Sequence, residues 1–238
     1  MNEIKPYMGS NTTHRVDDFA GGFDPLKGFY ISNILLDAPW EEDLSNLRPM
    51  DLECHPHYHQ HLEDRNFNQI FQTLSLRSID GEVTPTQPPP GQDEDPNLFY
   101  YTDAYHNSPV LKRVCDWFQF PVSRIRLFSQ QPGQTLQFHH DFDNERTGFD
   151  PNNVTIRVIM ALGDYPDAWY RLANESVDVT FRLARGQFII LNTDATWHAT
   201  VNNGEVARHT LNFIGKRNEW IENLVKPKDI LEIERVKI

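Results

Sequence analysis

Four short segments in the second half of the chain alternate polar and apolar residues with a period of two. In 135–141 the odd positions are polar, and in 154–162 the even positions are apolar. The same alternation recurs in 196–201 and 207–213. Because successive side chains of a strand point to opposite faces, the pattern predicts four strands that each carry one polar face.

The polar faces of these strands are rich in His, Asp, Arg, Thr and Asn and contain almost no Lys or Glu. A solvent-exposed face of an antiparallel sheet is the simplest explanation of a polar face, but such a face collects Lys and Glu. A polar interior that holds a ligand explains the composition better. With glycines between the runs, the sequence predicts an antiparallel barrel or sandwich.

The first half of the chain carries different signals. Apolar periodicity from Phe29 predicts a strand, and the acidic cluster 41–43 predicts the start of a short helix. Ser108 and Pro109 fit the N-cap and first turn of a second helix. The proline-rich segment 84–98 predicts a long loop, either a mobile lid or a solvated excursion.

The domain organisation follows from these segments. We expect one domain overall, with an irregular N-terminal arm at 1–25, a helical and loop-rich support region at 26–120, a barrel core at 121–216 and a C-terminal extension at 217–238.

Composition narrows the class of protein. The chain has 238 residues, 39% of them hydrophobic and 24% charged, and contains no apolar run long enough to span a membrane. No secretory signal opens the sequence, so we expect a folded cytoplasmic protein. The net charge of -12 disfavours nucleic acid and anionic membranes and favours small-molecule or peptide substrates. The sequence leaves the oligomeric state open.

His139 and Asp141 form the first candidate for chemistry. Their two-residue spacing in a strand places both side chains on one face, where an imidazole and a carboxylate can share a metal. His198 lies on the polar face of a later predicted strand and offers a third ligand. Two histidines and one carboxylate leave three coordination positions open, which is the arrangement of non-haem iron(II) oxygenases.

Arg208 follows His198 by ten residues, and the residues between them predict a hairpin. A hairpin centred on Asn203, with Gly204 in the left-handed conformation, would pair positions 198 and 208 on one face. The Arg208 guanidinium and the Thr210 hydroxyl would then form a carboxylate receptor beside the metal. A surface salt bridge is the alternative role for Arg208.

The segment 124–216 resembles the iron(II)- and 2-oxoglutarate-dependent oxygenases, and within them it is most similar to the aspartyl/asparaginyl β-hydroxylase group. The matching text is LFSQQPG at 127–133, His139-x-Asp141, TIRVIMAL at 155–162, ARGQFIILNTDATWHATVNN at 184–203 and Arg208-x-Thr210.

The resemblance implies a mainly β (α+β) fold, a double-stranded β-helix or cupin-like jelly roll with flanking N-terminal helices. It implies that the cofactors are iron(II), 2-oxoglutarate and O2, with ascorbate in support, and that a C–H bond of an amino-acid-like or protein substrate is hydroxylated with release of succinate and CO2. It also assigns roles to individual residues: iron ligation to His139, Asp141 and His198, the distal carboxylate of 2-oxoglutarate to Arg208 and Thr210, and the carboxylate nearest the iron to Arg157.

Some members of that hydroxylase group lack the carboxylate ligand, whereas this chain has Asp141, which leaves the substrate open. Asp141 also fills the coordination position that a halogenase leaves vacant for halide, which disfavours halogenation, while desaturation and ring formation are alternatives to hydroxylation. A non-catalytic cupin-type metal-binding or sensor protein is the main alternative, and a cupin sugar isomerase with Mn or Zn is another. Neither alternative gives Arg208 a role.

A second group of histidines lies outside this pattern. The segment 55–61 reads HPHYHQH, and its four alternate histidines fit either a second site for Zn, Ni or Cu or a polar segment near the pocket mouth. We expect Cys54 and Cys115 to be small core residues and Trp197 to pack on the apolar face of its strand.

Overall fold

The computed structural model describes residues 28–47, 53–54, 72–83, 95–141, 154–174, 178–192, 195–225 and 233–238. Four sequence predictions fall outside what the structure describes: the N-terminal arm, the core position of the Cys54 side chain, the histidine segment 55–61 and the loop 84–98 up to residue 94. Among the described helices, none is long and apolar enough to cross a membrane.

The described strands, in chain order, are β1 (Phe29–Asp37), β2 (Glu53–Cys54), β3 (Gln72–Ser78), β4 (Tyr100–Tyr101), β5 (Val122–Gln130), β6 (Thr135–His139), β7 (Thr155–Ala161), β8 (Ala168–Ala173), β9 (Asp178–Phe181), β10 (Gln187–Leu191), β11 (Trp197–Asn202), β12 (Arg208–Lys216) and β13 (Glu234–Lys237). The described helices are α1 (Glu41–Asn46), α2 (Asp103–His106), α3 (Pro109–Trp117) and α4 (Glu219–Val225), with a 3-10 turn at Pro96–Leu98.

The strands form two sheets. The large sheet has the order β13, β1, β10, β7, β12, β5, β3, β2, with β4 beside β3, and the small sheet has the order β6, β11, β8, β9. From β5 to β12 the chain winds back and forth between the two sheets, which is the strand order of the double-stranded β-helix. The predicted jelly-roll fold is therefore confirmed, although the two sheets stay separate and do not close into one hydrogen-bonded barrel. The predicted division into four segments stays a prediction.

The large sheet is buried on both faces. Its outer face packs against the helices, where Leu127, Val158 and Leu211 belong to the largest apolar cluster together with Leu111 and the predicted core residue Cys115. Between the sheets a smaller apolar cluster occupies part of the space, and polar side chains line the rest. Because both faces are buried, apolar side chains are not confined to one face, and some strands of this sheet are nearly continuous apolar runs.

Helix α3 begins where the sequence predicts, at Pro109, and the predicted strand and helix at β1 and α1 are also present. The Ser108 side chain does not cap the helix. Instead, Oδ2 of Asp43 in α1 accepts hydrogen bonds of 2.7 Å from the backbone N–H groups of Val110 and Leu111. A buried carboxylate at the positive end of α3 thus joins two helices that are far apart in sequence.

The predicted hairpin between Asn202 and Arg208 is wrong. Strand β11 pairs with β6 and β8, whereas β12 pairs with β5 and β7, so the connection crosses from the small sheet to the large one. Arg208 is opposite Gln130 rather than His198. Gly204 does not adopt a positive φ angle, and its N–H donates to Oδ1 of Asn202 at 3.1 Å. Pairing with β5 and β7 buries β12 between two neighbours, which a hairpin with β11 would not do.

A β-bulge interrupts the predicted alternation in 135–141. His139 pairs with His198, but Leu136 pairs with Thr200, so three residues of β6 span two of β11. The extra residue places Leu136 on the same face as His139 and turns Thr135 away. The prediction that the odd positions face inward is therefore wrong at Thr135 and Leu136, which precede the bulge. It is correct at His139.

Gly186 is the position where the fold most strictly requires glycine. Its φ is +79°, and a Cβ there would lie 2.0 Å from the carbonyl oxygen of Leu36 in β1. Gly133 has a φ of +78°, but a Cβ there would meet nothing within 4 Å. We expect both substitutions by alanine to cost about 1 to 2 kcal/mol for the left-handed backbone, and Gly186→Ala to cost about 1 to 3 kcal/mol more for the clash.

Urea unfolding of Gly186→Ala and Gly133→Ala against wild type measures this difference. Equal losses of unfolding free energy would show that β1 and β10 tolerate separation at this point.

Candidate metal centre

Three predicted ligands meet at one end of the small sheet. His139 ends β6 and His198 lies opposite it near the start of β11, with ring centroids 4.2 Å apart. Asp141 follows β6, and its Oδ1 is 3.7 Å from Nε2 of His139 while its Oδ2 is 3.5 Å from Nε2 of His198. One ligand atom from each residue lies within 4.8 Å of the others, which is close enough to hold a metal ion.

Backbone carbonyls orient both imidazoles. Nδ1 of His139 lies 2.6 Å from the carbonyl oxygen of Gln137, and Nδ1 of His198 lies 3.2 Å from that of Thr196. A carbonyl oxygen only accepts, so each Nδ1 carries the proton and each Nε2 presents a lone pair to the centre. The ring orientation is therefore set before any metal arrives.

His198 is 6% exposed, and this burial lowers its pKa to about 4, against an opposing effect of the Asp141 carboxylate. The ring is therefore neutral at physiological pH, which is the protonation state that ligates a metal. Two imidazole nitrogens and a carboxylate fit a divalent ion such as iron(II), and they leave three of six positions for other ligands.

Arg157 reaches the centre from β7 in the facing sheet. Its Nη1 lies 3.1 Å from Oδ2 of Asp141, the oxygen that also faces His198. The Arg157 cation holds the Asp141 carboxylate between the two histidines. The large sheet supplies none of the three ligands, but through Arg157 it positions one of them.

Arg208 lies in the same interior, on β12, and is 6% exposed. Its guanidinium carbon is 4.5 Å from the centre of the Tyr170 ring. Among the described residues, its buried Nε and Nη1 atoms have no hydrogen-bond partner. Burial lowers the pKa of Arg208, yet arginine stays protonated in proteins. A buried guanidinium with two unused donors is costly unless an anion joins it.

Three polar groups around Arg208 were not predicted as site groups from the sequence. The hydroxyls of Tyr170 and Thr200 and Oε1 of Gln130 are buried and have no partner among the described residues. Tyr170 pairs with Thr200 across β8 and β11, and Nε2 of Gln130 donates to the Thr200 carbonyl at 3.4 Å. Tyr170 occupies an apolar position of its strand, so only its hydroxyl, which needs a partner when buried, could have signalled a site.

Thr210 lies two residues beyond Arg208 on the same inward face, as predicted, and is buried. Its Oγ1 accepts a hydrogen bond of 2.9 Å from Nδ2 of Asn212, which leaves its own O–H available as a donor. The sequence therefore predicts correctly that Arg208 and Thr210 face the interior, but the hairpin that was expected to place Arg208 beside His198 is absent.

The outer surface of β6 and β11 carries the apolar residues of the alternation. Trp197 is 43% exposed and Phe138 is 40% exposed, and their rings stack at 5.5 Å. Trp197 packs on the apolar face of its strand, as predicted, but this face is the outer and partly exposed one, because β6 and β11 turn their polar side chains inward. His140 lies against Trp197 at 4.4 Å, also on the side opposite the ligands.

No family model matches the chain, and no curated protein matches it. Among solved structures it is similar to a Pseudomonas putida prolyl-4-hydroxylase, with a TM-score of 0.46, 12% identity and coverage of 85% of this chain and 97% of that one. An oxidoreductase of the 2OG-Fe(II) oxygenase family from Burkholderia pseudomallei gives a TM-score of 0.42 at 12% identity, over 77% of this chain and 99% of that one.

The non-heme monooxygenase ThoJ, in its nickel complex, matches at a TM-score of 0.31 and 21% identity over 39% of this chain and 42% of that one, so the chain spans less than half of its length. The strand order and the side chains described above, rather than these similarities, define the fold and the site.

Removing the carboxylate tests whether these three residues form one metal site. We expect Asp141→Ala to weaken binding of Co(II) by at least about 100-fold, because the loss of a direct ligand exceeds the 10- to 100-fold losses typical of outer-shell changes. Calorimetry with the metal-free protein measures the affinity. The matched control is Asp178→Ala, since Asp178 forms an exposed ion pair with Arg171 on the outer face of the small sheet. Near-normal affinity for Asp141→Ala would reduce the site to two histidines.

The buried state of His198 predicts a pH dependence of the metal-free protein. Unfolded His198 takes a proton near pH 6.5, whereas folded His198 stays neutral until about pH 4, so its contribution to stability is full above pH 6.5 and is lost as pH falls towards 4. Between pH 7 and 4.5 we expect wild type to lose about 2 kcal/mol more unfolding free energy than His198→Asn, measured in urea. Parallel losses in the two proteins would contradict the burial of a neutral ring.

Proposed function

We propose that the protein is an iron(II)- and 2-oxoglutarate-dependent oxygenase that hydroxylates a C–H bond of an amino-acid-like or protein side-chain substrate, with succinate and CO2 as co-products. The observation that carries this proposal is Arg208, a buried cation with unused donors in the same interior as a metal-ligand triad. A structural metal site has no use for such a group, whereas a dicarboxylate cosubstrate requires one.

His139, Asp141 and His198 would hold the metal through two Nε2 atoms and a carboxylate oxygen. Bound iron(II) supplies the redox chemistry with O2 that side chains lack. The protein's part is to fix the ligand geometry: the carbonyls of Gln137 and Thr196 hold the rings, and Arg157 holds the carboxylate.

2-Oxoglutarate carries one carboxylate beside its ketone and a second at its far end. We assign the far carboxylate to Arg208, whose fork of N–H donors matches a carboxylate, with the hydroxyls of Tyr170, Thr200 and Thr210 as further donors. We assign the carboxylate nearest the iron to the neighbourhood of Arg157. Burial of this pocket excludes water, which strengthens each of these charge-assisted contacts.

The likeness of the motifs to the aspartyl/asparaginyl β-hydroxylase group supports an amino-acid or protein side chain as the substrate, and Asp141 supports hydroxylation over halogenation. The net charge of -12 supports a partner other than nucleic acid and fits a cytoplasmic protein. A cupin-type metal sensor is the competing function, and it differs in leaving Arg208 without a ligand.

Replacing Arg208 separates the two functions. We expect Arg208→Met to weaken 2-oxoglutarate binding by at least about 30-fold, because truncating a buried charge-assisted contact costs about 2 to 5 kcal/mol. Metal affinity should stay close to that of wild type. The ligand-free variant should be as stable as wild type or more stable, since it no longer buries an unsatisfied cation. Calorimetry with the Zn(II)-loaded protein and thermal unfolding give these quantities.

Arg171→Met is the matched control, because this arginine lies on the outer face of the small sheet in an exposed ion pair with Asp178. Thr210→Ala should weaken binding less than Arg208→Met. Unchanged 2-oxoglutarate affinity in Arg208→Met would refute the cosubstrate role and favour the sensor.

A further inference from the structure

We infer that Asn212 is a positioning residue for the cosubstrate: its amide holds the Thr210 hydroxyl as a donor towards the anion at Arg208. The inference rests on the proposed oxygenase function and deepens it, because it explains how the far end of the pocket recognises a carboxylate. The sequence pattern places Asn212 on the polar face of its strand without giving it a role.

Asn212 follows Arg208 and Thr210 on one face of β12. The three residues occupy alternate positions of the strand, so their side chains all point into the interior between the sheets. Asn212 is opposite Ile159 of β7, which packs against the smaller apolar cluster in that interior. Alternate Cα atoms of a strand are about 6.6 Å apart, and at this distance the polar side chains of successive inward positions reach each other. Asn212 can therefore act on Thr210 directly.

The backbone carbonyl of Thr210 fixes the orientation of the Asn212 amide. The carbonyl oxygen lies 3.3 Å from Nδ2 of Asn212, and because a carbonyl only accepts, the group that faces it must be the NH2. The same Nδ2 lies 2.9 Å from Oγ1 of Thr210. Since the NH2 group only donates, Oγ1 of Thr210 accepts the hydrogen bond that joins the two side chains.

The Thr210 hydroxyl must give its own proton to a group other than Asn212. Thr210 is 4% exposed, and among the described residues this proton has no acceptor. Two N–H donors of Arg208, which lies two positions earlier on the same face, also have no partner there. A carboxylate only accepts, so it satisfies the donors of both residues. A ligand that ends in a methyl group would leave these buried donors unsatisfied.

Asn212 and Arg208 act on the ligand in different ways. Arg208 supplies charge and N–H donors to the ligand itself. Asn212 acts through Thr210: without its amide, the Thr210 hydroxyl is free to rotate and to present lone pairs to the ligand instead of its proton. A carboxylate that meets lone pairs binds less tightly, because it loses a hydrogen bond and gains a repulsive contact. The effect of Asn212 therefore depends on the Thr210 hydroxyl and on the far carboxylate of the ligand.

A double-mutant cycle tests this dependence, with 2-oxoglutarate binding to the Zn(II)-loaded protein measured by calorimetry. We expect Asn212→Ala to weaken binding about fivefold, which is the effect of one neutral hydrogen bond. In a Thr210→Val background the same change should alter binding by less than about 1.5-fold, because no hydroxyl is left to orient. Zn(II) affinity should stay unchanged, since the described hydrogen bonds of the Asn212 side chain are with Thr210.

A second ligand separates this role from a general effect on the pocket. 2-Oxovalerate has the same chain length as 2-oxoglutarate but a methyl group in place of the far carboxylate, so Asn212→Ala should bind it as wild type does. Asn97→Ala is the matched control, because Asn97 donates from an exposed turn to Asp95 and should not affect either ligand.

Reversing the hydrogen bond gives a stronger effect than removing it. Asn212→Asp has nearly the shape of wild type but accepts the Thr210 proton, so we expect at least about 30-fold weaker 2-oxoglutarate binding, with charge repulsion contributing. Thr210→Val should remove part of this loss, and the part that remains measures the repulsion between the two negative charges.

Equal losses from Asn212→Ala with and without the Thr210 hydroxyl would overturn the inference, and so would an equal loss of 2-oxovalerate binding. Asn212→Ser, which has a shorter polar side chain, should show the same coupling and keeps the test valid if the alanine variant does not fold. Absence of 2-oxoglutarate binding in wild type would instead contradict the proposed function. Glutarate, which has two carboxylates and no ketone, would then test Asn212 with the same variants.

Discussion

Strands β6 and β11 of the small sheet turn polar side chains inward and apolar ones outward, and the site depends on this inversion. His198 and Thr200 of β11 are buried, while Trp197 beside them is exposed. Polar groups withdrawn from water must find partners, because each unsatisfied group raises the free energy of the folded state. Arg157 of the large sheet is a partner for Asp141, whereas two donors of Arg208, also on the large sheet, have no partner among the described residues.

The polar part of the interior provides little hydrophobic stabilisation, so most of the apolar core lies elsewhere. The outer face of the large sheet provides it, where residues such as Val158 and Phe213 are completely buried under the helices. Strands β1, β3 and β13 extend that sheet beyond the strands of the double-stranded β-helix. Asp43 joins α1 to α3 in the layer above it. The fold thus separates stability from ligand binding. The helices and the outer face of the large sheet stabilise the protein, and the interior between the sheets can bury unsatisfied donors for a ligand.

The sequence predicts the faces of the strands but not the strand pairing. Alternation correctly places His139, His198 and Arg208 in one interior, because side-chain direction has a period of two whatever the neighbour strand is. Pairing depends on contacts that are distant in sequence, so the spacing of ten residues between His198 and Arg208 fits a hairpin as well as a crossing between sheets. The bulge at Leu136 and the inward hydroxyl of Tyr170 depend on such contacts too, and local pattern carries no signal for them.

The charges in this interior favour binding of a metal ion before an anion. Before a metal binds, Asp141 faces Arg157, and the carboxylate is already oriented towards both histidines. A divalent ion adds positive charge to an interior that already contains Arg208, so it favours the arrival of an anion. Two donors of Arg208 have no partner among the described residues, so this guanidinium is where such an anion would bind.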